Sequence, residues 1–203
     1  MQVAEPEPPQ AGSAGPLPRL ADGRAVLLRA VHPADRGALL ELHAELSDES
    51  RFLRYHSTHP RLSERDLEHF SNVDQRDHAG LLAFVGGHLV GHALYDRSAE
   101  DPDEAEVALE VTDAHQGQGL GTLLLEELAS IARGAGIHRF NARVLRCNRR
   151  MLRVFRNLGF AKRSALEDEV VLVRLDLDDV AGFERAHRRR ACAATAHSGE
   201  KMT

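Results

Sequence analysis

The residues best suited to chemistry lie in one segment, where a predicted strand runs through a glycine-rich turn into an amphipathic helix. The strand is Glu104–Val111, and the helix begins at about Gly119. Backbone N–H groups at a helix N-terminus lack partners within the helix and lie at the positive end of its dipole, so they suit an anion such as a diphosphate. Glycines in the turn remove the Cβ atoms that would hold a phosphate away. The segment therefore predicts a binding site for a phosphorylated ligand.

Two common phosphate-binding motifs do not fit this turn. The Walker motif GxxxxGK[ST] needs a lysine that the turn lacks, and a dinucleotide GxGxxG starting at Gly117 would need glycine in place of Thr122. The pattern that remains is Gln116-x-x-Gly119-x-Gly121. An ordinary strand-to-helix turn often holds one glycine but rarely three alternating ones after a strand and a glutamine, which favours a functional turn.

This pattern resembles the coenzyme A pyrophosphate loop of the GNAT superfamily of N-acetyltransferases, Arg/Gln-x-x-Gly-x-Gly/Ala. A second element, from Asn148 to Phe160, is similar to the family's Asn-x(6)-aromatic-x(3)-Gly-Phe helix and follows in the right order. The resemblance covers most of residues 25–176. The bacterial protein-lysine acetyltransferase branch is the most similar, on segments 48–55, 105–108 and 151–155.

The resemblance implies an α+β fold in which a GNAT-like mixed, mainly antiparallel central sheet is flanked by helices on both faces. It also implies an acyltransferase that uses acetyl-CoA as acyl donor and needs no metal. The family's cofactor contacts correspond here to the end of the strand, the turn and the second helix, at Leu109, Val111, Gln116, Gly117, Gln118, Gly119, Leu120, Gly121, Thr122, Asn148 and Phe155.

Acetyl transfer to an amine requires a base, because a lysine of pKa near 10.4 is almost wholly protonated and its deprotonation costs roughly 4.6 kcal/mol at pH 7. Alternation along the strand puts Glu104, Glu106, Ala108 and Glu110 on one face. By resemblance, Glu106 matches the glutamate that protein-lysine acetyltransferases use as general base through a bound water. Glu110 is a second candidate, as base or as an anchor for the substrate ammonium. A solvated strand face is the alternative for both.

In the family, the backbone N–H at the end of this strand stabilises the developing oxyanion, and Val111 occupies that position. Many members place a tyrosine four residues before the Gly-Phe pair to protonate the leaving thiolate, but this chain has Phe155 there. The resemblance therefore leaves the general acid unassigned, and we expect Phe155 to pack on the cofactor.

Three functions stay open at this point. The favoured one is transfer to a protein lysine, for example on an acyl-CoA synthetase. The acceptor could instead be a small amine, and the missing tyrosine motivates a third reading, a non-catalytic acyl-CoA sensor. A net charge of −5 argues against a nucleic-acid partner, and no run of 18 apolar residues exists to cross a membrane. We expect a cytoplasmic monomer or homodimer.

Neither of two histidine pairs predicts a metal site. His88 and His92 would lie roughly 13 Å apart along one strand, which is too far for one ion. His56 and His59 have no third ligand nearby in the sequence.

Hydrophobic periodicity predicts the elements that position these residues. Gly86-Gly87 between two apolar segments predicts a β-hairpin. Six strands are predicted, at residues 25–29, 79–85, 88–95, 104–111, 137–145 and 170–175. Five helices are predicted: one after residue 35, one over 50–55, one that begins after its N-cap Ser63, one over 119–133 and one over 149–158.

Composition divides the chain into three parts. Residues 1–23 are rich in Pro, Gly and Ala, which predicts a disordered leader, and residues 179–203 read as a flexible polar tail. Between them, the family resemblance implies a GNAT domain over residues 24–178. Cys147 and Cys192 have no zinc-like spacing, so we expect two free thiols.

Overall fold

Seven strands and five α-helices make up the described part of the chain, residues 17–158, 162–167 and 169–179 of a computed structural model. The strands are β1 (Val26–Ala30), β2 (His78–Val85), β3 (His88–Arg97), β4 (Glu104–Val111), β5 (Arg139–Leu145), β6 (Lys162–Glu167) and β7 (Val170–Asp176). The helices are α1 (Arg36–Glu45), α2 (Asp48–Tyr55), α3 (Glu64–Ser71), α4 (Leu120–Gly134) and α5 (Arg149–Asn157).

The strands form one sheet in the order β1-β2-β3-β4-β5-β7-β6. Neighbouring strands are antiparallel except β4 and β5, which are parallel. A parallel pair needs a crossover connection, and α4 supplies it between these two strands. The predicted α+β fold with a mixed, mainly antiparallel sheet is confirmed.

The sheet is covered on both faces because its strands alternate in side-chain direction. On one face, Leu81 and Ala83 join the buried core that α4 and α5 complete. On the other, Leu82 packs with Leu39 of α1 and Phe70 of α3. The α4 helix fits its face because its leucines recur at helical spacing, and those at positions 120, 124, 125 and 128 are all buried.

The glycine hairpin predicted between the second and third strands is confirmed. Gly86 and Gly87 have positive φ values of 59° and 84°, as a tight turn between antiparallel strands requires. The turn sets a register in which Val85 lies opposite His88.

The sequence analysis predicted a single strand after α5, which was wrong. Residues 162–167 form β6, which pairs antiparallel with β7 at the edge of the sheet. Their sequence, KRSALE, lacks the alternation of apolar and polar residues that marks a strand. The pairing with β7 overrides the weak local preference.

The packed part of the chain begins within the segment assigned to the leader. Leu20 is only 2% exposed, and Arg19 forms a β-bridge with Ala25. Residues 1–16, the Gly-Phe pair at 159–160, and most of the predicted tail, with Cys192, lie outside the described residues. Cys147 is an exposed free thiol. Among the helices described, none is long and apolar enough to span a membrane.

Candidate active site

A cleft of about 560 Å³ opens in the sheet where β4 and β5 separate. The two strands pair only through Glu104, Ala105 and Glu106 of β4. Further along, residues 107–111 of β4 and 142–144 of β5 line opposite walls of the cleft. Residues of α2, the glycine turn and α5 complete it. The structure thus brings the predicted strand, turn and second helix into one site.

The edge of β4 that faces β5 turns backbone donors towards this cleft. Thr112 donates its N–H to the carbonyl of Val90 in β3. Successive residues of a strand direct their N–H groups to opposite edges, so the N–H groups of Val111 and Leu109 face the cleft. The Val111 carbonyl shares this orientation, since it accepts a hydrogen bond from Gln116 Nε2 at 3.0 Å. Val111 therefore has the orientation that an oxyanion donor needs, and Leu109 offers a second such N–H.

Gln116 bridges the cleft with its side chain. Besides the Val111 carbonyl, Nε2 donates to Ser50 Oγ in α2 at 3.1 Å, and Oε1 accepts from Arg150 in α5 at 2.5 Å. The Ser50 hydroxyl in turn donates to Asp113 just after β4. Gln116 connects α2, β4 and α5, a role that its place in the turn motif did not reveal.

The glycine turn has an unusual backbone. Gly117 and Gly119 have φ values of 76° and 92°, which residues with a Cβ rarely adopt. A Cβ on Gly121 would lie 3.4 Å from Leu109 Cδ1, an ordinary van der Waals contact, so α4 packs against β4 at this position. All three glycines line the cleft. The first turn of α4 therefore offers its unpaired N–H groups to a ligand there.

Three other residues of the predicted turn differ in where their side chains lie. Thr122 lines the cleft and is buried. The Gln118 side chain instead accepts a hydrogen bond from Arg24 at 2.8 Å, and the Leu120 side chain is 1% exposed within the core. Gln118 and Leu120 could therefore contact a ligand in the cleft only through their backbone.

The two predicted positions on the second helix both line the cleft. Asn148 also caps α5, because its Oδ1 accepts the N–H of Met151 at 3.0 Å. Phe155 is fully buried in the core, and its ring offers no proton to a leaving group. The structure assigns Asn148 a capping role that the sequence analysis did not include.

Four arginines line the cleft of this acidic chain, and the sequence analysis missed them. They are Arg54, Arg143, Arg150 and Arg153. Guanidinium groups are strong phosphate ligands, so the cleft suits an anionic ligand such as coenzyme A despite the net charge of −5. No motif marks these positions, because the arginines come from α2, β5 and α5.

The carboxylates of β4 have three different environments. Glu104 is held by Arg139 at 2.8 Å and Arg174 at 3.3 Å and accepts a hydrogen bond from Asn141. The hydrogen bond from Arg139 is the main cause of its lowered pKa, against a smaller opposing effect of burial. Glu104 is therefore engaged in structural contacts between β4, β5 and β7.

Glu110 is buried and already partnered. Its carboxylate accepts a hydrogen bond from Tyr55 at 3.1 Å and lies 3.5 Å from His92 Nδ1 and 3.9 Å from Arg54 Nε. Burial by itself would raise the pKa of Glu110, but His92, Arg54 and Tyr55 outweigh it and hold the pKa below its ordinary value. The solvated face considered for this residue is thus wrong, and its partners leave little room for a substrate ammonium.

Glu106 is the exposed carboxylate of the three. It lines the cleft together with His56 and Arg143, and the charges of Glu106 and Arg143 both act on the His56 ring. Within the described part of the chain, no hydrogen bond or ion pair holds its side chain. Glu106 is therefore accessible to solvent and to a ligand in the cleft.

A parallel-strand opening, a glycine turn before a helix and a lining of arginines agree with one known family. Residues 39–160 match the model of the acetyltransferase (GNAT) family. The chain belongs to the GNAT acetyltransferase family. This match confirms the predicted acyltransferase class.

Two relatives support the protein acetyltransferase branch within this family. Acetyltransferase Pat of Mycolicibacterium smegmatis is 33% identical over 147 residues, which cover 71% of this chain but only 44% of that protein. The crystal structure of the GNAT domain of S. lividans PAT is 39% identical, has a TM-score of 0.74, and aligns over 77% of this chain and 93% of that one.

A more distant structure shares the fold and holds the donor. The acetyltransferase yncA from Salmonella typhimurium, solved with acetyl-CoA, is 23% identical with a TM-score of 0.62, over 77% of this chain and 96% of that one. A protein with the same fold therefore binds acetyl-CoA.

Proposed function

We propose that this GNAT enzyme transfers the acetyl group of acetyl-CoA directly to the ε-amino group of a protein lysine, with Glu106 as general base. Acetyl-CoA supplies the acetyl group as a thioester. The similarity to Pat and to the S. lividans PAT domain supports a protein acceptor. The cytoplasmic location and the oligomeric state stay predictions.

The free state of Glu106 carries this proposal. Of the three glutamates on β4, Glu104 is bound by two arginines and Glu110 by Tyr55, His92 and Arg54, whereas Glu106 is exposed in the cleft. A general base must be able to reach the substrate amine directly or through one water. Glu106 is the β4 carboxylate that meets this condition.

Spacing along β4 bears on which backbone N–H serves the acetyl carbonyl. At about 3.4 Å per residue, Leu109 is roughly 10 Å and Val111 roughly 17 Å from Glu106 along the strand. Both N–H groups face the cleft, but a water-bridged base can serve only a nearby carbonyl. The spacing therefore favours the Leu109 N–H as the donor to the oxyanion. The family resemblance implied the Val111 N–H instead.

The test is calorimetric titration of acetyl-CoA together with thiol release, using an acyl-CoA synthetase and a panel of small amines as acceptors. We expect Glu106→Gln to lower kcat by roughly 10²- to 10⁴-fold while acetyl-CoA affinity is unchanged. The control is Glu100→Gln, an exposed glutamate outside the cleft, which should keep full activity.

An unchanged kcat in Glu106→Gln across the pH range would exclude Glu106 as base. Release of thiol with small amines but not with the protein would favour a small-molecule acceptor. Binding of acetyl-CoA without thiol release from any acceptor would favour the sensor alternative.

A further inference from the structure

A second group of titratable side chains lies on the α3 side of the sheet, outside the cleft. His69 belongs to α3, His78 to β2 and Asp96 to β3. One donor atom from each lies within 4.8 Å of the other two. His78 and Asp96 face each other across the β2–β3 register. Three elements thus direct two imidazoles and a carboxylate to one point, which we call the His–His–Asp cluster.

The separations within the cluster are those of metal ligands. A zinc ion holds nitrogen and oxygen ligands at about 2.0–2.2 Å in a tetrahedron, which puts neighbouring ligand atoms roughly 3.3–3.6 Å apart. Asp96 Oδ2 lies 3.2 Å from His69 Nε2, and Asp96 Oδ1 lies 3.6 Å from His78 Nε2. The two imidazole rings stack at 4.4 Å with an angle of 18° between their planes. The Nε2 atoms of both rings therefore approach the same carboxylate.

The buried ring nitrogen of His78 is the feature that ion pairing alone does not explain. It lies 3.6 Å from Asp96 Oδ1, which is too far for a hydrogen bond. This Nε2 atom is buried and makes no hydrogen bond to any described residue. Buried polar atoms are nearly always paired, and imidazole nitrogen is the commonest metal ligand in proteins. His69 and Asp96 are 44% and 41% exposed at their side chains, so water can complete the coordination.

We propose that His69, His78 and Asp96 bind one divalent transition-metal ion of the zinc type, with water in the remaining position. Imidazole and carboxylate ligands suit such an ion. The ion would connect α3 to β2 and β3. It would also lie near Glu106, because Asp96 stands opposite Glu106 in the β3–β4 register. The proposal concerns binding and does not depend on the identity of the acceptor.

The test uses the full chain, freed of any histidine tag, and titrates it with Co²⁺ and with Zn²⁺. Tetrahedral Co²⁺ has visible absorption bands that report its ligands directly. We expect one ion per chain, displacement of Co²⁺ by Zn²⁺, and a rise in thermal stability with metal concentration. Asp96→Asn and His69→Gln should weaken binding more than about 100-fold, beyond the 10- to 100-fold effect typical of residues outside the ligand set.

His88→Gln is the matched control, since His88 is an exposed histidine on β3 outside the cluster. It should bind as the wild type does, which would show that loss of an exposed histidine outside the cluster does not weaken binding. Absence of the cobalt bands, or equal affinity in wild type and Asp96→Asn, would overturn the proposal. Far-UV circular dichroism checks that each variant is folded, and His69→Gln, at a part-exposed helical position, gives a second variant if Asp96→Asn fails to fold.

Discussion

Removal of the Glu110 carboxylate is expected to be the most destabilising single change in the cleft. The substitution Glu110→Ala leaves the Tyr55 hydroxyl, His92 and Arg54 without the group that now pairs with all three. Loss of one partner from a buried charged pair typically costs about 3–5 kcal/mol. Because the whole free energy of unfolding of a domain is about 5–15 kcal/mol, this is a large fraction of it. The melting temperature should fall by roughly 2–4 °C for each kcal/mol.

The measurement is urea unfolding at neutral pH, followed by far-UV circular dichroism. Glu110→Gln should lose less stability than Glu110→Ala, because the amide oxygen can still accept from Tyr55. Glu106→Gln serves as the control. Glu106 is exposed and has no hydrogen bond or ion pair to any described residue, so this change should alter the free energy of unfolding by no more than about 0.5 kcal/mol. A loss below about 1 kcal/mol in Glu110→Ala, the level of an exposed ion pair, would refute the claim that this charge is buried and paired.

Acidification gives an independent check on the same residue. The folded pKa of Glu110 lies below its ordinary value, so its contribution to stability is present above the unfolded pKa and is lost as pH falls through the folded pKa. The difference in stability between wild type and Glu110→Gln should therefore shrink in the acid range. A difference that stays constant down to the acid unfolding transition would contradict a depressed pKa.

Two further substitutions test the local backbone of the cleft. Gly119→Ala should lose about 1–2 kcal/mol of stability, because φ at this position is 92°. It should also weaken acetyl-CoA binding, measured by calorimetry. Gly134→Ala near the end of α4 should be neutral or stabilising, and equal effects of the two substitutions would refute the role of the turn. Asn148→Ala should lose about 1 kcal/mol of unfolding free energy in urea, because the α5 cap is lost. Asn148→Asp should keep most of that stability, since aspartate can also cap the helix. Equal losses in the two variants would show that the capping hydrogen bond contributes nothing.

The elements with strong local signals were the ones predictable from sequence. The strand Glu104–Val111 has the predicted bounds, the Gly86-Gly87 hairpin forms, and Ser63 caps α3 through the N–H of Asp66. Each depends on residues close together in the chain, such as turn glycines or an alternating apolar pattern. Strand β6 was missed because its existence depends on pairing with β7, which no local pattern in KRSALE indicates.

The partners of the predicted site residues could not be found in the same way. Alternation assigns Glu110 a face of β4, but Tyr55 is 55 positions away and reaches it only because α2 packs on that face. Arg150 likewise meets Gln116 from another helix. Motif spacing therefore indicated the strand, turn and helix that line the cleft, while the partners of its charged side chains depend on tertiary packing.

In the proposed function, the geometry of β4 explains how one strand can serve both the acetyl-CoA and the acceptor amine. Its backbone N–H groups at Leu109 and Val111 face the gap left by β5, while the side chains of Glu106 and Glu110 lie on the face that α2 covers. An insertion of one residue after Glu106 would move it to the opposite face or turn the donors back towards β3, because both directions alternate with period two. The separation of β4 from β5 therefore has to begin at Glu106, where their pairing ends. A strand paired along its whole length would have neither an open donor edge nor a carboxylate beside it.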